Sequence, residues 1–469
     1  MVEQAVRQPN QSARRITRAL LPELFPQAPP RRAAAQRRVA LRAALTGILL
    51  VAGAVVVLLR PAGRSALTTI WAEDESVYLV QALSSPWRLF TSYAGYLQLL
   101  PRLIGQLAAF LPVRDAAVVF AVSGAITASA VAAFVFRASA GHVHSAGLRA
   151  LLAAAVLLLP VAPIEIIDSG VDTPWYLLFA LFWAALWRPR TPAGLAVAAF
   201  IGFLSMASNP MALTLAPLLA VRILALRRVR EQAVTAGWVA GLLLQVPVIL
   251  AAKSSRTSRL ARPERVAAFV AHDVVLPALG WHLDWWLRSA VGGNGATVAV
   301  GAVLTAVLGA IVLATPARVR LFAVAALATG FLLATVAATL SRWVTTLPAR
   351  FGGEPGSRYT TLPIFLIEAT AIVGVDWVAR RAGERSARPA RAPARRSLAA
   401  APAVAALTVV LSFGWITDFR YPDGRAGGTA WSPIASRWLA NCRQSPDGTI
   451  RVPSTGAGYV EIRCPSLRR

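Results

Sequence analysis

Carboxylates are scarce in this chain: 21 Asp and Glu stand against 48 Lys and Arg in 469 residues, for a formal net charge of +27. Lysine is nearly absent, so arginine carries that charge. There are four histidines and two cysteines. His142 and His144 share one short polar stretch, His272 and His282 lie far apart, and neither pair has a cysteine nearby. No zinc-ligand spacing follows from that set. There is no Walker loop and no Rossmann glycine fingerprint, which argues against ATP drive and against a nucleotide-sugar donor. The strict alternation of a transmembrane β-barrel is missing, and so is any internal repeat. In a soluble protein this charge would point to nucleic acid. Here the arginines cluster between apolar runs, where they set orientation in a membrane, and no nucleic-acid partner is expected.

Apolar residues are abundant: 56% of the chain, in blocks long enough to cross a bilayer. The expected fold class is an all-α polytopic membrane protein with about eleven transmembrane helices. They lie near 39–60, 113–137, 148–163, 174–187, 193–208, 211–226, 233–252, 297–315, 320–340, 359–378 and 398–416. Several, 174–187 among them, are shorter than the roughly 20 residues of a straight span.

With the N-terminus inside, the cytoplasmic segments are basic, as the positive-inside rule requires. They include Arg188-Pro189-Arg190, Arg227-Arg228-Val229-Arg230 and Arg380 to Arg396. An odd number of spans puts the C-terminus outside. Residues 1–38 read as a disordered basic cytoplasmic tail without a signal-peptide cleavage site. The transmembrane domain covers 39–416, with long outer loops at 61–112 and 253–296 and an Ala/Arg/Pro-rich cytoplasmic linker at 379–397. Residues 417–469 form a small extracytoplasmic tail. Composition rich in Ala and Arg and poor in Lys fits a GC-rich bacterial genome, so the expected location is the bacterial plasma membrane.

The first outer loop holds Trp71-Ala72-Glu73-Asp74-Glu75-Ser76-Val77-Tyr78, three consecutive carboxylates beside interfacial aromatics. They are either a solvated cluster or the source of a general base facing the outer leaflet. Transfer of a sugar from a polyprenyl phosphate needs one carboxylate to take the acceptor proton and cations to receive the phosphate. A hydrolase would want two carboxylates flanking the bond. Asp74 is preferred as the base, with Glu73 second. Segments 76–85 and 97–111 read as two helices lying along the membrane surface, and 281–288 as an interfacial aromatic helix.

Lys253, Arg256, Arg259, Arg262 and Arg265 recur near every third residue on the outer side, against the orientation trend. They would either hold a lipid phosphate or attract anionic lipid. Arg358-Tyr359 opens the tenth span, where the arginine either snorkels or contacts a phosphate. Asp168, Asp172 and Trp175 lie in a third outer loop and are either turn residues or sugar contacts. Glu368 falls within the tenth span, where an ionisable group is a functional candidate unless it is protonated or hydrogen-bonded between helices. Cys442 and Cys464 flank two short alternating stretches, Thr449–Val452 and Tyr459–Arg463. A disulfide between them would contribute about 3 kcal/mol in an oxidising compartment.

Taken together, these features resemble the GT-C superfamily of membrane glycosyltransferases, which includes actinobacterial mannosyl- and arabinofuranosyltransferases. Glu73-Asp74 sits where that family carries its acidic pair. Tyr96 to Arg102, with Pro101, is similar to the aromatic-proline entry to the family's second span, and Ser357-Arg358-Tyr359 to an Arg-Tyr element before a late span. The likeness covers most of the chain as architecture and few residues specifically. Here Glu73-Asp74-Glu75 leaves the base ambiguous, and the C-terminal part is short for an arabinosyltransferase.

The resemblance implies an inverting hexosyl- or pentosyltransferase in cell-envelope biogenesis. It would move a monosaccharide from a polyprenyl-phosphate donor to a glycan, lipid or protein hydroxyl on the outer face. Arg358, Lys253, Arg256, Arg259 and Arg102 would serve the donor phosphate; Tyr359, Tyr96, Asp168, Asp172, Trp175 and Glu368 would contact substrate. No cofactor is expected. Some relatives use a divalent metal, for which this chain has few spare ligands. Two other readings stay open: a transporter or lipid-linked-substrate flippase, and an O-antigen-ligase-like enzyme relying on outer-loop arginines.

Overall fold

The computed structural model of the chain describes residues 21–28, 36–71, 73–160, 166–167, 169–251, 266–267, 269–291, 294–340, 357–385, 401–420, 430–454 and 458–467. Lys253, Arg256, Arg259, Arg262, Arg265 and Asp168 lie outside them. In chain order the helices are α1 Gln36–Leu58, a π-helical turn Asp74–Leu79 running into α2 Val80–Ser84, α3 Leu99–Phe110, α4 Ala116–Ala138 and α5 Ala146–Leu158. There follow α6 Thr173–Leu186, α7 Pro192–Ser208, α8 Ala216–Ala225, α9 Ala233–Ala251 and α10 Trp281–Val291. The last are α11 Asn294–Ala314, α12 Ala317–Leu340, α13 Ser357–Arg385, α14 Ala401–Thr417 and α15 Trp431–Gln444.

Where they are described, the eleven apolar blocks are helical, and their lengths differ widely. Among the described residues, four helical stretches are long and apolar enough to cross a membrane: Val113–Gly141, Val229–Ala251, Ala317–Thr339 and Arg358–Ala382. α1 and α11 run 23 and 21 residues, and α6, α7, α8 and α14 run 14, 17, 10 and 17. At 1.5 Å per residue, the 14 residues of α6 reach only about 21 Å, less than a bilayer core. Prolines at the first positions of α6, α7 and α8 set where those helices begin. α13 continues to Arg385, into the stretch 379–397 that the sequence reads as a linker.

Large apolar side chains stay exposed along α1 (Ile48, Leu49, Val51), α9 (Leu243, Leu250) and α14 (Val409, Ile416). Such patches suit lipid rather than water. Between α7 and α9 the contact is backbone to backbone: a Cβ on Gly202 would strike Val234, and one on Gly237 would strike Ala199. Small residues permit that approach, a common device where helices pack within a membrane.

Arginines tie helix ends together. Arg60, just past α1, donates to the carbonyls of Leu157 (2.6 Å), Leu159 (2.9 Å) and Phe419 (3.2 Å), so the C-terminal ends of α1, α5 and α14 meet at one level. Arg188 meets Glu231 (Nε to Oε1 3.0 Å) and the carbonyl of Phe25 at the other end. Arg222 donates to the carbonyls of Glu231 and Ala185 there as well. The end holding Arg188 is the one the sequence assigns to the cytoplasm.

The segments 76–85 and 97–111 do form helices, and they pack on each other. Gly105 of α3 lies so close to Tyr78 that a Cβ would sit 2.8 Å from its carbonyl oxygen. The C-terminal segment is attached to this loop. Its two strands, β1 Thr449–Ser454 and β2 Gly458–Arg463, form an antiparallel hairpin, and Cys442 is bonded to Cys464 with Cα atoms 5.2 Å apart. Ile450, Val452, Val460, Ile462, Trp431 and Trp438 share one core with Val77, Tyr78, Leu79, Val80 and Leu83. The Trp431 indole donates to the Val113 carbonyl at 2.7 Å, and its backbone N–H to Thr68 at 2.8 Å. The described residues of 430–467 and of the loop 61–112 thus pack on the same end of the bundle.

Candidate active site around Glu73, Asp74 and Arg358

Three distant stretches converge at that end. The first is the acidic turn. Asp74 opens the π-helical turn, and its amide is held by the carbonyl of Trp71 at 2.9 Å. Its carboxylate is 1% exposed and accepts three bonds from the second stretch, the loop before α6. The donors are the amides of Gly170 (3.0 Å) and Val171 (2.8 Å) and the hydroxyl of Ser169 (3.3 Å). Glycine is needed at 170 because a Cβ there would come within 2.5 Å of Phe120 and 3.0 Å of Asp74. Asp74 thereby holds the loop that carries Asp172.

Glu73 precedes it and is only half-buried. The Tyr93 hydroxyl donates to its Oε1 at 3.1 Å. Tyr93 sits in a tight turn closed on Tyr96, with backbone bonds of 3.0 and 3.2 Å in the two directions. Ala94 (φ 55°) and Gly95 (φ 91°) adopt the left-handed region that this turn demands. Burial, then the charge and hydrogen bond of Glu73, raise the Tyr93 phenol above its ordinary pKa, so it stays a proton donor near neutral pH.

The third stretch is the start of α13. Arg358 Nη1 lies 3.8 Å from Asp172 Oδ1, and the guanidinium stands over the Tyr359 ring at 5.6 Å. It is also near enough to act on the Tyr93 phenol. Tyr359 meets Trp175 edge to face at 5.2 Å. Glu73, Asp74, Tyr93, Tyr96, Asp172, Trp175, Arg358 and Tyr359 are therefore linked through successive contacts.

Trp175 is 6% exposed and offers no open ring face for a sugar. Arg102 stands apart from Arg358. It is buried under the Tyr78 ring (5.7 Å) and donates to Gln81 (3.1 Å) and the Arg88 carbonyl (2.7 Å), in the packing of the first loop. Glu368 is buried ten residues along α13 from Arg358, about 15 Å deeper for a helical rise of 1.5 Å. It faces the Trp415 indole of α14 and has no contact with the acidic turn.

Sequence reasoning did not single out Tyr93, Ser169 or Gly170. The signals available were the Tyr-Ala-Gly-Tyr turn and a Ser-Gly pair next to Asp172. Among the described residues, no group of three or more His, Cys, Asp or Glu side chains is placed to hold a metal ion.

No family model matches the chain, and no curated protein matches it. It is similar to the arabinofuranosyltransferase AftD from Mycobacteria, a cryo-EM structure, at 15% identity and a TM-score of 0.43, over 88% of this chain and 29% of that one. It is also similar to the oligosaccharyltransferase of Archaeoglobus fulgidus, crystallised with zinc and sulfate, at 12% identity and a TM-score of 0.38, over 85% of this chain and 56% of that one. The chain thus spans about a third and somewhat over half the length of these two proteins. At such values the likeness is one of general helical layout and assigns no residue a role.

Proposed function

We propose that this protein is a membrane glycosyltransferase of the GT-C kind. It moves a monosaccharide from a polyprenyl-phosphate donor to an envelope hydroxyl on the outer face, with inversion. The observation that carries this reading is the convergence of a reachable carboxylate, Glu73, with an arginine, Arg358, at one end of an apolar helical bundle.

In this reading Glu73 is the base. Asp74 has both oxygens engaged by the 169–171 loop and acts by positioning that loop and Asp172. Glu73 takes the proton of the acceptor hydroxyl as its oxygen bonds to the anomeric carbon. The bond from that carbon to the phosphate oxygen breaks on the opposite face, and the electron pair leaves with the phosphate. Arg358, paired with Asp172 at 3.8 Å, receives the charge that develops there.

The test is transfer of radiolabelled sugar from a panel of polyprenyl-phosphate donors to an envelope acceptor fraction, with purified protein in nanodiscs. Wild type transfers. Glu73→Gln and Arg358→Gln lose transfer while remaining folded by thermal shift. Robust transfer in folded Glu73→Gln would transfer the role to Asp74 or remove carboxylate catalysis altogether.

A further inference from the structure

At the opposite end of α13 a second polar site faces the arginine-rich side of the bundle. Arg380 follows Arg358 by 22 residues on this one helix, about 33 Å away at 1.5 Å per residue. Beside it lies a cavity of about 200 Å³, walled by His142 after α4, Arg318 and Val319 of α12, and Val373, Trp377 and Arg380 of α13.

Its cations are held in place. Arg318 donates to the Gly141 carbonyl, and Arg380 Nε to Asp376 at 3.1 Å. Asp376 is also fixed by the amides of His144 (3.1 Å) and Ser145 (2.9 Å). A guanidinium carries five N–H donors, so one contact exhausts neither arginine. The two guanidinia are close enough to repel each other, and Glu23 and Asp376 are the carboxylates that relieve this.

The third polar group is the informative one. His142 is 4% exposed, with its ring packed near Trp183 and against Phe322 at 4.9 Å. Its Nε2 is buried and has no hydrogen-bond partner among the described residues. Burial and the neighbouring Arg318 lower its pKa to about 3, so the ring is neutral. A buried ring nitrogen left unpaired is costly, and such groups are usually satisfied by a ligand or water.

We propose that this cavity binds a phosphate ester. Arg318 and Arg380 would engage the phosphate oxygens, the neutral His142 ring would supply a third donor, and Val319, Val373 and Trp377 would face the organic part. Two forked cations with one neutral donor suit a phosphate's several acceptor oxygens. The ester is either the headgroup of an anionic phospholipid in the adjacent leaflet or a soluble phosphate ester. Bound there, it would link the end of α4, the start of α12 and the end of α13. This site does not depend on the catalytic reading of the opposite end.

The test is native mass spectrometry of the detergent-purified full chain, titrated with phosphatidylglycerol and separately with glycerol 3-phosphate. One bound ligand per chain is expected, with affinity falling about ten-fold for Arg318→Gln and again for Arg380→Gln. His142→Phe, which keeps the ring packing, should lose a smaller factor. Arg228→Gln, an exposed arginine at the same end, should lose none. Retention of phosphatidylglycerol that glycerol 3-phosphate cannot displace identifies a lipid headgroup; displacement identifies a soluble ester. Where a Gln variant misfolds, the Lys variant replaces it and should retain part of the affinity. Absence of both ligands from wild type, unchanged affinity in folded Arg318 and Arg380 variants, or an equal loss in Arg228→Gln overturns the proposal.

Discussion

Tyr93 donates its hydroxyl to Glu73 across twenty residues of sequence, at 3.1 Å. The bond steadies the half-buried carboxylate and leaves it reachable, while the phenol, with its raised pKa, keeps its proton. Tyr93→Phe should therefore lower kcat about ten-fold with little change in thermal stability. Glu73→Gln should lower it by a factor on the order of 100 or more, the range of general base removal. Initial rates over a donor titration measure both. Equal, small effects of the two substitutions would argue that neither group acts on the acceptor proton.

Asp74→Asn should behave differently. The asparagine amide would set its own N–H donors against at least one of the two loop amides that now donate to the carboxylate. Leaving a buried donor unsatisfied costs about 1–3 kcal/mol. The expected outcome is a lower Tm and faster amide exchange at Gly170 and Val171, with transfer reduced through displacement of Asp172 and Arg358. A protein of wild-type Tm and exchange that is nonetheless inactive would make Asp74 the base.

The Cys442–Cys464 disulfide closes a separation of 22 residues. Its removal by Cys442→Ser with Cys464→Ser should cost about 3 kcal/mol. The hairpin and α15 share a core with Val77, Tyr78 and Leu83. Loosening them should therefore also reach the acidic turn and lower transfer. Reduction with dithiothreitol offers an independent check on unmutated protein, read as protease sensitivity of both 61–112 and 430–467.

Glu75 provides a pH-dependent prediction. Burial raises its pKa, opposed by the weaker attraction of Arg437. A carboxyl whose pKa is higher folded than unfolded favours the folded state below the unfolded pKa. That contribution is lost as pH rises through the folded pKa. The contribution of this group to thermal stability should thus decline from about pH 4.5 toward neutrality. Glu75→Gln should flatten that decline and raise Tm at pH 7. A variant less stable than wild type at pH 7 would show that Arg437 outweighs burial.

Much of this was legible in the chain. Arg-flanked apolar blocks located most helical segments to within a few residues where they are described, because helix periodicity and lipid exposure are local properties. The cysteine pair and the two strands around Ser454 were legible for the same reason. Span number was not, because whether a helix such as Thr173–Leu186 crosses a bilayer depends on its neighbours as well as its composition. The acidic cluster was legible as a cluster but not as an order of roles. Preference for Asp74 over Glu73 rested on chemistry alone, and burial separates them: one carboxylate is engaged by three donors from residues 95 to 97 positions away, and the other is reachable.

Composition by itself determined that this is an apolar, arginine-oriented helical protein with one unusual group of carboxylates and one pair of cysteines. Those are statements about residue type and short-range spacing, which transfer free energies and helix periodicity read directly. Tertiary structure decided which groups meet: Asp172 with Arg358, Tyr93 with Glu73, Trp431 with Val113, and His142 with an arginine pair at the far end. These contacts join residues tens to hundreds of positions apart. They depend on how helix ends align in space, and backbone-to-backbone packing at Gly202 and Gly237, together with the carbonyls gathered by Arg60, fixes that alignment.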